Sequence, residues 1–168
     1  MVSLHCTWAG LIRAGALTGV TYKQHETRSR SGAIGKDYRG WIAIASTANP
    51  KQPDWDVIKQ VAELAGDETT KNRLRDFDLY EPGHILALAR VTDAFEMTPE
   101  NIATQSLLEL ATGDWQPGRW AFRLEGAIAL PQLIPYTAKG QGAPYVELEG
   151  DLGQQLLSLI NTFRPTQL

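Results

Sequence analysis

The chain has 168 residues, of which 43% are hydrophobic and 21% charged, and its formal net charge is −3. These values are typical of one globular domain, and they exclude a disordered chain or a polybasic protein that coats nucleic acid. No apolar run reaches the roughly 18 residues of a membrane-spanning helix, and the first residues lack the pattern of a secretory signal. We therefore expect a cytoplasmic protein with no membrane partner. The single cysteine, Cys6, excludes an intrachain disulfide and a cysteine zinc site.

Positive charge is concentrated in one segment of this acidic chain. Residues 13–39 carry six basic and two acidic side chains, a net charge of +4, whereas residues 93–168 carry nine acidic and four basic ones. A local positive field can guide a polyanion to one place on an acidic protein. A solvated charged surface is the alternative interpretation. The six basic residues are Arg13, Lys23, Arg28, Arg30, Lys36 and Arg39.

The N-terminal part of the chain predicts short strands around one helix. The Thr7 hydroxyl can cap a helix whose apolar residues recur at i, i+3 and i+4, and Gly15 is a natural end for it. Segments rich in β-branched and aromatic residues predict strands on either side of a Gly/Ser loop. The predicted elements are strands at 2–5, 20–28 and 40–47, a helix at 7–14 and a loop at 29–36.

Helices and strands also alternate irregularly through the remainder of the chain. Asp54 can cap a helix that ends at Gly66, and Pro99 fits the first position of another. Pro82 and Gly83 predict a turn before a second apolar strand. The predicted elements are helices at 54–66, 68–77, 99–111 and 151–163 and strands at 84–91, 120–124, 127–130 and 145–148.

This order of elements favours an α+β fold. It lacks the regular strand–helix alternation of a doubly wound sheet. We therefore predict a single domain over residues 1–168, built on a small β-barrel of about six strands with helices covering its openings.

Five segments, in order along the chain, resemble the motifs of the ASCH domain, a family of the PUA-like superfamily. The resemblance implies a PUA-like barrel with a cleft beside it, and the class is associated with RNA recognition. The segment 50–81 looks like a helical insertion into this pattern. The five segments are TWAGLIRAG (Thr7–Gly15), KQHETRSRS (Lys23–Ser31), YRGWIAIAST (Tyr38–Thr47), PGRWAFRLEGAIALP (Pro117–Pro131) and KGQGAPYVEL (Lys139–Leu148).

The resemblance carries over to individual residues. Those that match the family's functional positions are Trp8, Lys23, Glu26, Arg28, Arg39 and Gly40. Some relatives hydrolyse an acylated cytidine with a lysine, a threonine and a glutamate, and others are proposed ribonucleases. Here Glu26 stands where those amidohydrolases have the nucleophilic threonine. Because a carboxylate does not easily replace that hydroxyl in acyl transfer, the departure weakens the case for that chemistry.

Two interpretations of the signature segment stay open on the residues alone. On a regular strand Lys23 and His25 would share one face, and Glu26 and Arg28 the other. The Glu26–Arg28 pair would either close one end of the barrel as a structural ion pair or direct Arg28 toward a phosphate. Lys23 would contact a phosphate or, if desolvated, serve as a base. His25 would be a general base or simply a packed residue.

Two further residues are candidates for ligand contact. Trp8 would stack on a base, and the Ser29 hydroxyl, in a loop between arginines, would bind phosphate; core packing and an ordinary flexible loop are the alternatives. The three histidines are far apart in the sequence and lack the paired spacing of metal ligands, so we predict no metal site. The absence of a P-loop and of a dinucleotide-binding motif predicts no cofactor.

These observations lead to three hypotheses about function. The first is an RNA- or nucleoside-binding module with a basic cleft, whose ligand contacts are Trp8, Lys23, Arg28, Ser29, Arg39 and Gly40. The second is a hydrolase in the same cleft, a ribonuclease or an N-acylcytidine amidohydrolase, in which Lys23, His25 and Glu26 are catalytic. The third is a regulatory domain that contacts a protein partner through residues 54–77.

Overall fold

The structure is a computed structural model, and it describes residues 1–31, 34–49, 52–136 and 149–163. Five strands and six helices are found in this part of the chain, with one short 3-10 helix at Phe77–Tyr80. The strands are β1 (Val2–Leu4), β2 (His25–Arg28), β3 (Gly40–Ser46), β4 (His84–Glu96) and β5 (Trp120–Pro135). The helices are α1 (Cys6–Thr18), α2 (Trp55–Ala65), α3 (Glu68–Leu74), α4 (Pro99–Ala103), α5 (Leu107–Thr112) and α6 (Gly150–Phe163).

The strands form one mixed sheet in the order β1-β3-β4-β5-β2. β1 runs parallel to β3, and the other neighbours are antiparallel. The predicted α+β class is confirmed. The predicted barrel is not, since the sheet formed by the described residues is open, with β1 and β2 as its edge strands. The strand predicted at 145–148 lies outside the described residues.

Helices cover both faces of this sheet, as the burial of alternate side chains of β3 shows. Successive strand residues point to opposite faces. Ile42 and Ile44 belong to the core cluster that includes α1, whereas Ala43 and Ala45 belong to the cluster that includes α6. Both faces of β3 are therefore buried, as its continuous apolar sequence predicted. Burial of each isoleucine contributes about 1.5–3 kcal/mol.

A third core cluster lies on the outer side of α1, where α2, α3 and the 3-10 helix pack. The helix predicted to start at Asp54 and end at Gly66 is confirmed as α2. The helix predicted at 68–77 is instead divided, because the Asp76 side chain accepts the Asp78 N–H and starts the 3-10 helix. Residues 52–81 thus form a helical layer over α1, while their origin as an insertion remains a prediction.

The first helix is longer than predicted at both ends. Its N-cap is His5, whose ring Nδ1 accepts the Thr7 N–H, and it ends at Gly19 with a left-handed φ of 75°. Gly15, the predicted end, lies inside the helix, where a Cβ would be 2.8 Å from the Val20 carbonyl oxygen. A glycine is therefore needed at this position because the chain passes close to the helix at Val20, and not because the helix ends there. The Thr7 hydroxyl accepts the Asp54 N–H at 2.8 Å and ties α2 to α1.

Several other boundaries differ from the predictions, among them the end of β4, which runs to Glu96 instead of residue 91. The helix predicted at 99–111 is broken into α4 and α5, because Ser106 accepts the Glu109 N–H and caps a new helix. The two strands predicted on either side of Gly126 are one strand, β5, in which this glycine has a φ of 59°. β2 covers only His25–Arg28 of the strand predicted at 20–28.

Candidate functional site

A cleft of about 370 Å³ lies where the two edge strands of the sheet face each other. One wall is the end of β1 and the start of α1, and the other is β2 with the residues that follow α5. Four of the residues predicted from the signature motifs line it together. The lining residues are Ser3, Leu4, His5, Trp8, Lys23, Glu26, Thr27, Arg28, Thr47, Thr112, Gly113, Asp114 and Arg119.

Lys23 and Glu26 meet although strand alternation predicted them on opposite faces. Lys23 precedes β2, so the period of two does not apply to it. Its Nζ lies 3.7 Å from Glu26 Oε2, and both side chains are almost fully buried. The predicted pairing of Lys23 with His25 on one face is therefore wrong.

The Lys23 ammonium group is buried and its hydrogen-bonding directions are used within the protein. It donates to the carbonyl oxygens of His25 and Thr112 at 2.7 and 2.6 Å, and it lies 5.5 Å from the centre of the Trp8 ring. Burial lowers the pKa of Lys23, and the negative charges of Glu26 and Glu109 partly oppose this effect. The ammonium group thus joins β2 to α5.

Arg28 links the two edges of the sheet. Its Nη2 donates to the Ser3 carbonyl oxygen of β1 at 2.9 Å, and its Nε lies 2.9 Å from Glu26 Oε1. The buried Nε–H nevertheless makes no hydrogen bond, so charge holds this pair. The Thr47 hydroxyl, on the same cleft, is also buried and has no hydrogen-bond partner among the described residues.

Glu109 is a residue that the sequence analysis missed. From α5 its carboxylate accepts the backbone N–H groups of Gln24 and His25, the latter at 3.1 Å, and contacts His25 Nδ1 at 3.0 Å. Burial alone raises the pKa of Glu109, but hydrogen bonds from His25 and Gln24 and the charge of Lys23 bring it below the usual value of 4.5. We call Lys23, Glu26, Arg28 and Glu109 the inner cluster.

A sequence signal for Glu109 existed. Ser106 and Glu109 have the spacing of a capping box, in which the glutamate would turn back to its own helix N-terminus. The serine does cap α5, but the Glu109 carboxylate reaches across to the start of β2.

The turn after α5 completes the wall of the cleft. The Asp114 N–H donates to the Thr27 hydroxyl at 3.0 Å, and Trp115 Nε1 donates to the Glu109 carbonyl oxygen at 2.7 Å. At Gly113 a Cβ would lie 2.6 Å from Trp115 Nε1 and 2.9 Å from Thr27 Cγ2. The contacts leave no room for a side chain at this position.

His25 lies behind the cleft and does not line it. Its ring packs edge-on between Phe95 and Trp115, with centroids 5.7 and 5.4 Å away, and its Nδ1 faces Glu109. The three predicted catalytic residues therefore do not face one reacting bond. This geometry agrees with the packed-residue interpretation of the histidine.

The remaining predicted ligand contacts lie outside the cleft lining. Arg39 is 40% exposed in its side chain and pairs with Asp93 at 3.1 Å, in a different part of the sheet. Gly40 begins β3 beside Tyr38, and Ser29 is exposed beyond the end of β2. The structure thus brings together Trp8, Lys23, Glu26 and Arg28 and leaves these three apart.

The charge of the cleft is smaller than the sequence suggested. Among the described residues, its cations are Lys23, Arg28 and Arg119 and its carboxylates are Glu26 and Asp114, which leaves one net positive charge. Arg119 Nη1 lies 3.3 Å from Asp114 Oδ2. Arg13, from the basic segment, donates instead to the Asp78 carbonyl oxygen beside the 3-10 helix. The positive charges of this segment are therefore divided among the cleft, the 3-10 helix and the exposed surface.

Comparison with known proteins supplies no assignment: no family model matches the chain, and no curated protein matches it significantly. Over the described residues, no group of three histidine, cysteine or acidic side chains is arranged to hold a metal ion. In the same part of the chain, no helix has the length and apolar character needed to cross a bilayer.

Proposed function

We propose that this protein is a binding module for RNA or a nucleoside, of the ASCH type within the PUA-like superfamily, and that its ligand occupies the cleft between β1 and β2. One observation carries the proposal: Trp8, Lys23, Glu26 and Arg28, chosen from two separate motifs, line a single concave site. The PUA-like barrel belongs to the same proposal and rests on the resemblance of the motifs.

The shape and lining of the cleft suit a nucleoside. Its volume of about 370 Å³ lies within the ~300–1,000 Å³ typical of small-ligand pockets. Trp8 is half-buried in the cleft lining and offers an indole ring for stacking, which is how unpaired bases are commonly held. Arg28, whose side chain is 27% exposed, supplies the nearby cation.

Binding has more support than hydrolysis. A general base must reach the proton that it removes, and the Lys23 ammonium group is already occupied by two carbonyl oxygens. His25 faces Glu109 behind the cleft. Of the three predicted catalytic residues, only Glu26 is not subject to these objections. Its carboxylate, however, lies between the Lys23 and Arg28 cations.

The test is calorimetric titration of the full chain with nucleosides, nucleoside monophosphates and short RNA oligomers. Trp8→Ala is expected to weaken binding by about tenfold, because stacking on an aromatic side chain contributes about 1–3 kcal/mol per base. Trp55→Ala is the matched control, since Trp55 packs on Phe77 and Tyr80 away from the cleft. Equal losses in the two variants, or no binding by the wild type, would contradict the proposal.

The same samples separate binding from catalysis. Incubation with RNA oligomers and with an N-acylated cytidine, followed by chromatography, is expected to return both unchanged. Product formation that Glu26→Gln abolishes, and that Glu63→Gln on the exposed face of α2 does not, would establish the hydrolase instead.

A further inference from the structure

The donors that the protein leaves unused in the cleft indicate what its ligand must offer. In the described part of the chain, four buried side-chain polar atoms have no hydrogen-bond partner, and two of them, Arg28 Nε and Thr47 Oγ1, line this cleft. A buried donor without a partner is costly, and native structures seldom keep one without a reason. A ligand with acceptor oxygens would satisfy the Thr47 hydroxyl and would also meet the guanidinium of Arg28, whose Nε lies against Glu26 but whose side chain is 27% exposed.

His5 adds a third donor at the same cleft. Its Nδ1 accepts the Thr7 N–H, so the proton of the neutral ring is on Nε2. His5 is one of the residues that line the cleft with Arg28 and Thr47. A guanidinium N–H, a hydroxyl and an imidazole N–H are together suited to the oxygens of an anion.

The small net positive charge of the cleft lining suits a ligand with one anionic group. Lys23 is paired with Glu26 and two carbonyl oxygens, and Arg119 is paired with Asp114. Arg28 shares Glu26 with Lys23, so the cleft keeps one net positive charge. An RNA backbone that crosses a protein normally meets a series of cations. Among the residues that the structure describes, the cleft lining has no such series.

We infer that the cleft binds a single nucleotide-sized ligand with one phosphate group held by Arg28 and Thr47, and that it does not follow an RNA backbone. The inference rests on the proposed function and narrows it from RNA or a nucleoside to a nucleoside monophosphate. The phosphate would accept hydrogen bonds from Arg28 and from the Thr47 hydroxyl, and the base would stack on Trp8.

Titration of the full chain with a graded series tests this inference. The series consists of a nucleoside, its monophosphate, the corresponding dinucleotide and a ten-residue oligomer of the same base. The monophosphate is expected to bind at least about tenfold more tightly than the nucleoside, and the longer ligands no more than about threefold more tightly than the monophosphate. For the oligomer, log K should fall with log salt with a slope of about −0.7, the value for one phosphate contact on a single strand.

Thr47→Val locates the phosphate and retains the shape of the side chain. Because Arg28 also joins β1 to β2, its replacement would disturb the fold, so the threonine variant carries this part of the test. Thr47→Val is expected to reduce the advantage of the monophosphate over the nucleoside at least threefold, because the affinity for the monophosphate falls more than the affinity for the nucleoside. Thr92→Val is the matched control, because Thr92 Oγ1 is also buried without a partner but lines a different groove.

The outcomes separate the two proposals. If no member of the series binds, the proposed function fails. If the nucleoside binds as tightly as its monophosphate, or the oligomer binds tenfold more tightly with a slope of several units, the nucleoside- or RNA-binding function survives and the single-phosphate inference is overturned. Equal effects of Thr47→Val and Thr92→Val would also overturn it.

Discussion

Two groups of charged residues, the inner cluster and the Arg39–Asp93 pair, lie in opposite environments. Three members of the inner cluster are buried and Arg28 is 27% exposed in its side chain, and the members contact one another, backbone carbonyl oxygens and backbone N–H groups. Arg39 is paired with Asp93 at a comparable distance, but the two side chains are 40% and 56% exposed. Burial, and not the presence of a charged partner, therefore distinguishes them.

The comparison indicates where removal of a charge will matter. Removal of one partner of a buried ion pair lowers the free energy of unfolding by about 3–5 kcal/mol, because the other charge is left uncompensated. An exposed pair contributes about 0.2–1 kcal/mol, since water replaces the partner. The inner cluster should therefore govern the stability of the β2–α5 region, whereas Arg39 should not.

Structural and binding roles also coincide in the inner cluster. Arg28 bridges β1 and β2 across the cleft and at the same time lines that cleft with a side chain that is 27% exposed. Glu26 holds the guanidinium that joins the two sheet edges, which agrees with the interpretation of Glu26–Arg28 as a structural ion pair, while closure of a barrel end remains a prediction. A ligand at this position would contact the very group that fixes the shape of its site, which favours a preformed pocket.

Loss of Glu109 should have the largest effect on stability. Glu109→Ala leaves two buried N–H groups and the His25 ring without their acceptor and leaves Lys23 with less negative charge nearby. We expect a loss of about 3–5 kcal/mol in the free energy of unfolding, measured by urea denaturation. Glu63→Ala on the exposed face of α2 should change it by less than about 0.5 kcal/mol. Similar values for the two variants would show that the inner cluster does not stabilise the fold.

The contribution of Glu109 should also appear, as a smaller effect, in the pH dependence of the free energy of unfolding. The pKa of Glu109 in the folded protein lies below its usual value of 4.5. The unfolded chain therefore binds this proton more readily, so the contribution of Glu109 is complete above pH 4.5 and is lost as the pH falls through the folded-state pKa. Unfolding free energies measured from pH 6 to pH 3 should fall more steeply for the wild type than for Glu109→Gln. Parallel profiles would contradict the assigned direction of the shift.

How much of the fold the sequence predicts depends on how local its determinants are. The start and end of α2 were correct because Asp54 and Gly66 act within one turn of the helix. The end of α1 was wrong because Gly15 is explained by a contact with Val20, which the helical pattern does not contain. The openness of the sheet depends on pairing between distant strands, so a list of strands does not predict it.

How well the sequence predicts the site residues also depends on how local their determinants are. Trp8 and Arg28 were identified from motifs, yet their common position in the cleft required the fold of β1 and β2. Glu109 was missed because its partners lie 84 and 85 residues away, and its capping-box spacing with Ser106 gives no indication of them. Arg39 was included because its motif matched, although its place beside Asp93 is set by the pairing of β3 with β4.

The smallest expected effect belongs to the exposed pair, and double-mutant cycles measure it against the buried one. A cycle of Arg39→Met and Asp93→Asn should give a coupling energy of about 0.2–1 kcal/mol that declines in 1 M salt, where the screening length is about 3 Å. A cycle of Arg28→Met and Glu26→Gln should give about 1–3 kcal/mol with little dependence on salt, because Glu26 is shielded from solvent. If the two coupling energies are equal and equally sensitive to salt, then burial does not separate these pairs. In that case the cleft would have no stronger electrostatic framework than the open surface around Arg39.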